Sequence, residues 1–147
     1  MKQYLVILAD RKRAHLILVK NGKVVLYEKL PTDLAPRKVK HGQNDWDAQD
    51  KILRKRNGLL DIHLDKISKS AIEFTKNIRI DGVVFGGHQD LHHKISETLT
   101  YPLKNKFMGF FITELKIPQN QLTEKALQRI LELENEKEEK KIQEALS

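Results

Sequence analysis

The stretch Ala14-His15-Leu16-Ile17-Leu18-Val19-Lys20-Asn21-Gly22-Lys23-Val24-Val25-Leu26-Tyr27-Glu28-Lys29 decides the fold. Two runs rich in branched and aromatic residues flank Asn21-Gly22, the strongest short hairpin signal a sequence offers. The runs are read as antiparallel neighbours. Upstream, the polar break Asp10-Arg11-Lys12-Arg13 separates this hairpin from Tyr4–Ala9, a short apolar run of the kind found in a strand buried on both faces. That strand belongs in the middle of a sheet.

Downstream, Pro31 and Pro36 forbid regular pairing, and the chain is expected to stay irregular until Asn44 or Asp45, either of which can cap a helix. From Trp46 onward, Leu53, Leu60, Leu64, Ile67, Ala71, Phe74 and Ile78 recur at spacings of three, four and seven, the stripe of an amphipathic helix. Asn57-Gly58 inside it costs about 1 kcal/mol and is a candidate kink or break. Val83-Val84-Phe85 reads as a short buried strand ending in Gly86-Gly87, and Leu91, Ile95 and Leu99 mark a short second helix. Phe107–Leu115 is taken as the last strand. Pro118 opens a final helix with Leu122, Ala126, Leu127, Ile130, Leu131 and Leu133 on its packing side.

The order β-β-β-α-β-α-β-α predicts an α/β fold with a mixed five-stranded sheet, an antiparallel meander followed by parallel additions, with helices on its faces. A chain of 147 residues makes one ordinary domain with a real core, placed at 1–133. Residues 134–147 are almost wholly charged at first, with mixed signs at helical spacing, and read as a solvated helical tail.

Charge narrows the partners. The net charge is +7, with 14 Lys/Arg against 6 Asp/Glu through residue 60 and 13 against 14 after it. The positive field belongs to the N-terminal part. Such asymmetry favours a polyanion, most often nucleic acid, because each neutralised phosphate releases counterions; a surface kept soluble by lysine is the plainer reading. There is no cysteine, which excludes disulfides, thiolate catalysis and thiolate metal sites. The opening apolar run is too short to span a bilayer and has no cleavage pattern, so a cytoplasmic protein is expected, with no membrane partner.

Within the basic part, Arg37-Lys38-Val39-Lys40-His41-Gly42-Gln43-Asn44 is the conspicuous segment, a cationic loop between the hairpin and the long helix. A loop of this length without apolar periodicity usually has a function or is disordered. Gly42 allows backbone shapes other residues resist, and Gln43 offers an uncharged amide with donors and an acceptor, suited to positioning a water or a leaving group. Lys51, Arg54, Lys55 and Arg56 lie on the polar face of the helix that follows.

The chain resembles the middle domain of eukaryotic and archaeal class-1 peptide-chain release factors, related bacterial and archaeal proteins in which that domain stands alone, and the equivalent domain of Pelota-type rescue factors. The resemblance runs from Tyr4 to about Leu133. It is carried by the element order, Leu8-Ala9-Asp10-Arg11-Lys12-Arg13-Ala14 between strands, the hairpin, Val83-Val84-Phe85-Gly86-Gly87, and above all Gly42-Gln43 between the third strand and the long helix. It implies a ribonuclease H-like sheet. It also implies a loop that enters the peptidyl transferase centre, where a Gly-Gly-Gln motif promotes hydrolysis of the peptidyl-tRNA ester. Gly42 then matches the second glycine and Gln43 the glutamine, while His41 stands in place of the first glycine and adds a β-carbon and a ring. By the same resemblance His41, Gly42 and Gln43 form the catalytic tip and no cofactor is needed. The partners are the large ribosomal subunit with its RNA and peptidyl-tRNA. Arg37, Lys38, Lys40, Arg54, Lys55 and Arg56 are the candidate RNA contacts. A single domain has no room for codon reading, so hydrolysis would be codon-independent, as in rescue of stalled ribosomes, or would depend on a protein partner that supplies targeting. The alternative is a non-catalytic RNA- or ribosome-binding module of the same fold.

Other chemistries have weaker sequence support. His88 and His92, one helical turn apart with His93 beside them, have the spacing of a shared metal, although a third ligand such as Asp90 would face elsewhere and a solvated helix start explains them too. Gly86-Gly87 before a helix suits either an anion or a tight turn. A nuclease would need Asp10, Asp81 and Asp47 or Asp50 to converge on two metals, whereas turn and cap roles are commoner at strand ends. Trp46 is suited to stacking on a base or to packing at the helix start.

Overall fold

A computed structural model describes residues 2–30 and 45–146. Its elements are β1 (Gln3–Ala9), β2 (Ala14–Lys20), β3 (Lys23–Lys29), α1 (Asp45–Phe74), β4 (Gly82–Gly87), α2 (Gln89–Thr98), β5 (Phe107–Ile112) and α3 (Gln119–Leu146). Within α1 the surroundings are described for Gly58 and the side chains for residues 60 onward. The strands order as β3-β2-β1-β4-β5, with β1–β2 and β2–β3 antiparallel and β1–β4 and β4–β5 parallel. This is the mixed, ribonuclease H-like arrangement expected of the sequence, with β1 in the centre.

The hairpin forms where Asn21-Gly22 directs it. Both residues take positive φ, 54° and 73°, as the twist-matched two-residue turn requires. Beyond the turn Lys20 faces Lys23 and Val19 faces Val24, but Leu18 faces Leu26, so Val25 is an extra residue in β3. The strand forms one border of the sheet, and Val25 and Leu26 are half exposed.

Side-chain alternation divides the core in two. Leu5, Ile7, Ala9, Ala14, Leu16, Leu18, Val83 and Phe85 meet Leu60, Leu64, Ile67 and Ala71 of α1 and Leu91 and Ile95 of α2. On the other face Tyr4, Val6, Leu8, Ile17, Val19 and Val84 meet Leu122, Ala126, Ile130 and Leu133 of α3. Each inner strand is therefore buried on both sides, which is why β1 reads as a continuous apolar run. Burial of this apolar area from water is the main favourable term holding the three layers together.

Several boundaries differ from the sequence reading. Helix α1 runs unbroken through Asn57-Gly58, and ends at Phe74 rather than reaching Ile78. The ending is local: the Thr75 hydroxyl donates to the Ala71 carbonyl at 2.8 Å, and the Ile78 N–H to the Thr75 carbonyl at 3.0 Å. Ile78 still packs on the core from the turn. Strand β5 stops at Ile112 instead of Leu115, while β4 ends in Gly86-Gly87 as read. Leu131, expected on the packing side of α3, is exposed.

Candidate nucleic-acid interface

One end of the sheet gathers the features of interest. There β1 and β4 finish side by side, Ala9 paired with Gly87, and β3 returns beside the start of β2, His15 paired with Lys29. The Leu30 N–H donates to the Ala14 carbonyl at 2.9 Å, fixing where the chain leaves the sheet toward Pro31. Helix α1 comes back to this same end. His63, buried in its middle, donates from Nε2 to the Asp10 carbonyl at 3.0 Å. About 45 Å of helix, at 1.5 Å per residue, thus crosses a sheet whose strands are about 23 Å long, and the part before His63 precedes its contact with the sheet end.

The turn between β1 and β2 is tightly built. Asp10 Oδ1 accepts from the N–H of Lys12 at 2.8 Å and from the N–H of Arg13, while the Asp10 N–H donates to the Arg13 carbonyl at 3.0 Å. One carboxylate thereby holds the turn, the ordinary capping use of aspartate. The turn is also tied to α2: Arg11 Nη2 lies 2.9 Å from Asp90 Oδ2, with both side chains largely exposed. The Arg11 guanidinium holds the Asp90 carboxyl below the usual carboxylate range. Exposed pairs of this kind contribute about 0–1 kcal/mol.

Of the residues expected to act, Arg37, Lys38, Lys40, His41, Gly42 and Gln43 lie outside the described residues, as does the whole segment 31–44. Arg54, Lys55 and Arg56 fall within α1, as does Trp46, but their side chains lie outside the described set. The two anchor points, Leu30 and the start of α1 at Asp45, are described.

The competing chemistries are not drawn together. Asp10 follows the end of β1 and Asp81 precedes β4, and because these strands are parallel the two carboxylates stand at opposite ends of the sheet, about 20 Å apart. Asp81 instead accepts the Gln3 N–H at 2.8 Å. A two-metal site using both is therefore geometrically ruled out. The His92 ring sits edge-on to Phe110, with centroids 3.8 Å apart, and against His93; burial together with His93 lowers its pKa. Among the described residues no group of three or more His, Asp or Glu side chains converges as a metal site. Gly87 is explained by packing: a β-carbon there would overlap the Ala9 carbonyl oxygen of the neighbouring strand.

Comparison with known proteins decides the family. The family model described as "Bacterial archaeo-eukaryotic release factor family 10" matches residues 1–131. The chain belongs to this release-factor family. Among solved structures, it is similar to one described as "Archaeal protein", at TM-score 0.63 and 16% identity, covering 97% of this chain and 40% of that one. It is also similar to the crystal structure of the archaeal translation termination factor aRF1, at TM-score 0.53 and 15% identity, covering 95% and 42%. The family-10 chain thus spans well under half the length of these two structures, and at such identity they speak to its fold. No curated protein matches it. Among the described residues no helix is long and apolar enough to cross a membrane.

Sequence reasoning missed two features of this family-10 sheet end. The contact of His63 with the β1–β2 turn joins residues 53 positions apart and leaves no local signal. The second is the cationic turn itself, Arg11-Lys12-Arg13, all exposed beside the root of segment 31–44. Its charge was visible in the sequence; its place beside Leu30 follows from the pairing of β2 with β3.

Proposed function

We propose that the protein is a release-factor-like translation factor acting on ribosome-bound peptidyl-tRNA, with His41-Gly42-Gln43 as the tip that enters the peptidyl transferase centre. The observation carrying this reading is the position of Gly42-Gln43: in a chain of this release-factor family, the pair falls in the segment joining β3 to α1. Support comes also from the sheet end, where Leu30 leaves β3 at the near root of that segment and exposed cations gather. The partners are the large ribosomal subunit, its RNA and peptidyl-tRNA.

In this reading Arg37, Lys38, Lys40, Arg54, Lys55 and Arg56 neutralise phosphates. Gly42 lets the backbone approach RNA closely, and the Gln43 amide orients the water that attacks the ester. A backbone N–H at Gln43 is the natural donor to the charge developing on the leaving oxygen. Hydrolysis without codon reading fits rescue of stalled ribosomes. The second reading, a ribosome-binding module without hydrolysis, is favoured by one residue: His41 sets a side chain where the release factors have glycine.

A peptide-release assay on stalled ribosomes separates the two. Wild-type protein is expected to release peptide, and Gln43→Ala to lower the rate by at least about tenfold while ribosome binding persists, the scale of loss that misplacing a reacting group brings. Equal and negligible release by both proteins, with binding intact, would assign the chain to the non-catalytic module.

A further inference from the structure

We propose that the turn Arg11-Lys12-Arg13, together with Lys29, is a rigid second footing for RNA phosphates at the root of the Gly42-Gln43 segment. This rests on the ribosomal reading above and adds residues that no motif assigned. Arg11, Lys12, Arg13 and Lys29 are all exposed. The first three form the turn between β1 and β2 and Lys29 ends β3; the β2–β3 register brings them near one another, with Lys29 opposite His15, two residues after Arg13.

The acids nearby do not cancel this charge. Asp10 turns Oδ1 inward onto the N–H groups of Lys12 and Arg13. Glu28 occupies the opposite face of β3 from Lys29. Asp90 engages one nitrogen of Arg11, and that guanidinium keeps further donors for a phosphate. Among the described residues, Lys12, Arg13 and Lys29 have no carboxylate within ion-pair distance. The local field is felt by a neighbour: after burial, the charge of Lys29 lowers the His15 pKa, Asp10 offsets part of this, and Arg13 lowers it further.

Rigidity distinguishes this footing from an ordinary lysine-coated surface. The turn backbone is held by the Asp10 carboxylate, by His63 from α1 and, through Arg11, by α2. With the turn backbone already held, only side-chain freedom is lost on meeting a phosphate, so more of the attraction survives as affinity. The absence of large apolar side chains from the turn fits a phosphate backbone better than a protein groove.

The test is binding of the full chain to purified large ribosomal subunits across a salt series. Lys12→Ala/Arg13→Ala is expected to weaken binding roughly tenfold at moderate salt and to lower the slope of log K against log salt by about one to two, one contact per phosphate lost. The control is Lys137→Ala/Lys140→Ala, which removes the same charge near Asp81 and Phe107 at the opposite end of the sheet and is expected to change little. Thermal unfolding of the turn variant should match wild type, since the backbone holding the turn is untouched. If the turn variant loses no more affinity than the control, the footing is wrong, while release dependent on Gln43 would leave the functional reading standing. If wild-type protein shows no salt-dependent binding to the subunits, both proposals fall together.

Discussion

Burial takes most of the His15 ring out of water, and Lys29 opposite it adds positive charge, so its pKa lies below the ordinary histidine value. Its Nδ1 forms a 2.6 Å hydrogen bond with the Tyr27 hydroxyl, which needs no charge on the ring. The sign of the stability effect follows. In the unfolded chain the histidine titrates near 6.5, so below that pH the unfolded state binds more protons than the folded one. The contribution of His15 is therefore whole above about pH 6.5 and is lost as pH falls toward its lowered folded value. His92, lowered by burial and by His93, acts in the same direction. Replacement by asparagine keeps a polar atom near the Nδ1 position and removes the titration. Thermal melts from pH 7.5 to 5 should show wild-type Tm falling with acid and His15→Asn falling less steeply; parallel curves would mean that the ring is not held neutral.

At the scale of elements, α1 carries a glycine in its interior without breaking. A β-carbon built on Gly58 meets nothing within 4 Å, so alanine there meets no obstacle and removes backbone freedom from the unfolded chain. Gly58→Ala is expected to stabilise by about 0.5–1 kcal/mol, raising Tm by roughly 2–4 °C. A lowered Tm would indicate that the helix needs its glycine. The same helix shows what was legible in the sequence. Its stripe from Leu60 to Ala71, the Asn21-Gly22 turn and the doubly buried β1 are local patterns, and local patterns gave the element order and the sheet. What escaped was non-local. In β5 a register shift passes over Met108, so Phe107 and Phe110 both pack toward α1 and α2, and no simple alternation describes the strand. Gly87 answers to the Ala9 carbonyl on a neighbouring strand, not to a turn in its own segment. The candidate tip divides in the same way: residue types suggested Gly42 and Gln43, whereas the cationic turn became part of the interface only once β3 was placed beside β2.

Across the whole molecule, charge and architecture point the same way. Most of the excess positive charge lies through residue 60, where the chain supplies β1, β2, β3, the joining segment and the first half of α1. The later half is close to neutral and supplies α2, α3 and the two parallel strands that complete the sheet. A body of this kind meets a polyanion by one side, and its binding should respond to salt in proportion to the phosphates that side neutralises. Lys38 and Lys40 test whether the joining segment takes part. Lys38→Ala/Lys40→Ala should weaken binding to large ribosomal subunits most at low to moderate salt and flatten the salt slope by about one to two. Combined with Lys12→Ala/Arg13→Ala, the losses in log K should add if segment and turn bind separate phosphates, and fall short of additive if they share them. An unchanged slope in the Lys38→Ala/Lys40→Ala protein would leave those lysines as solvated surface, and the contact would then have to be made by the sheet end alone.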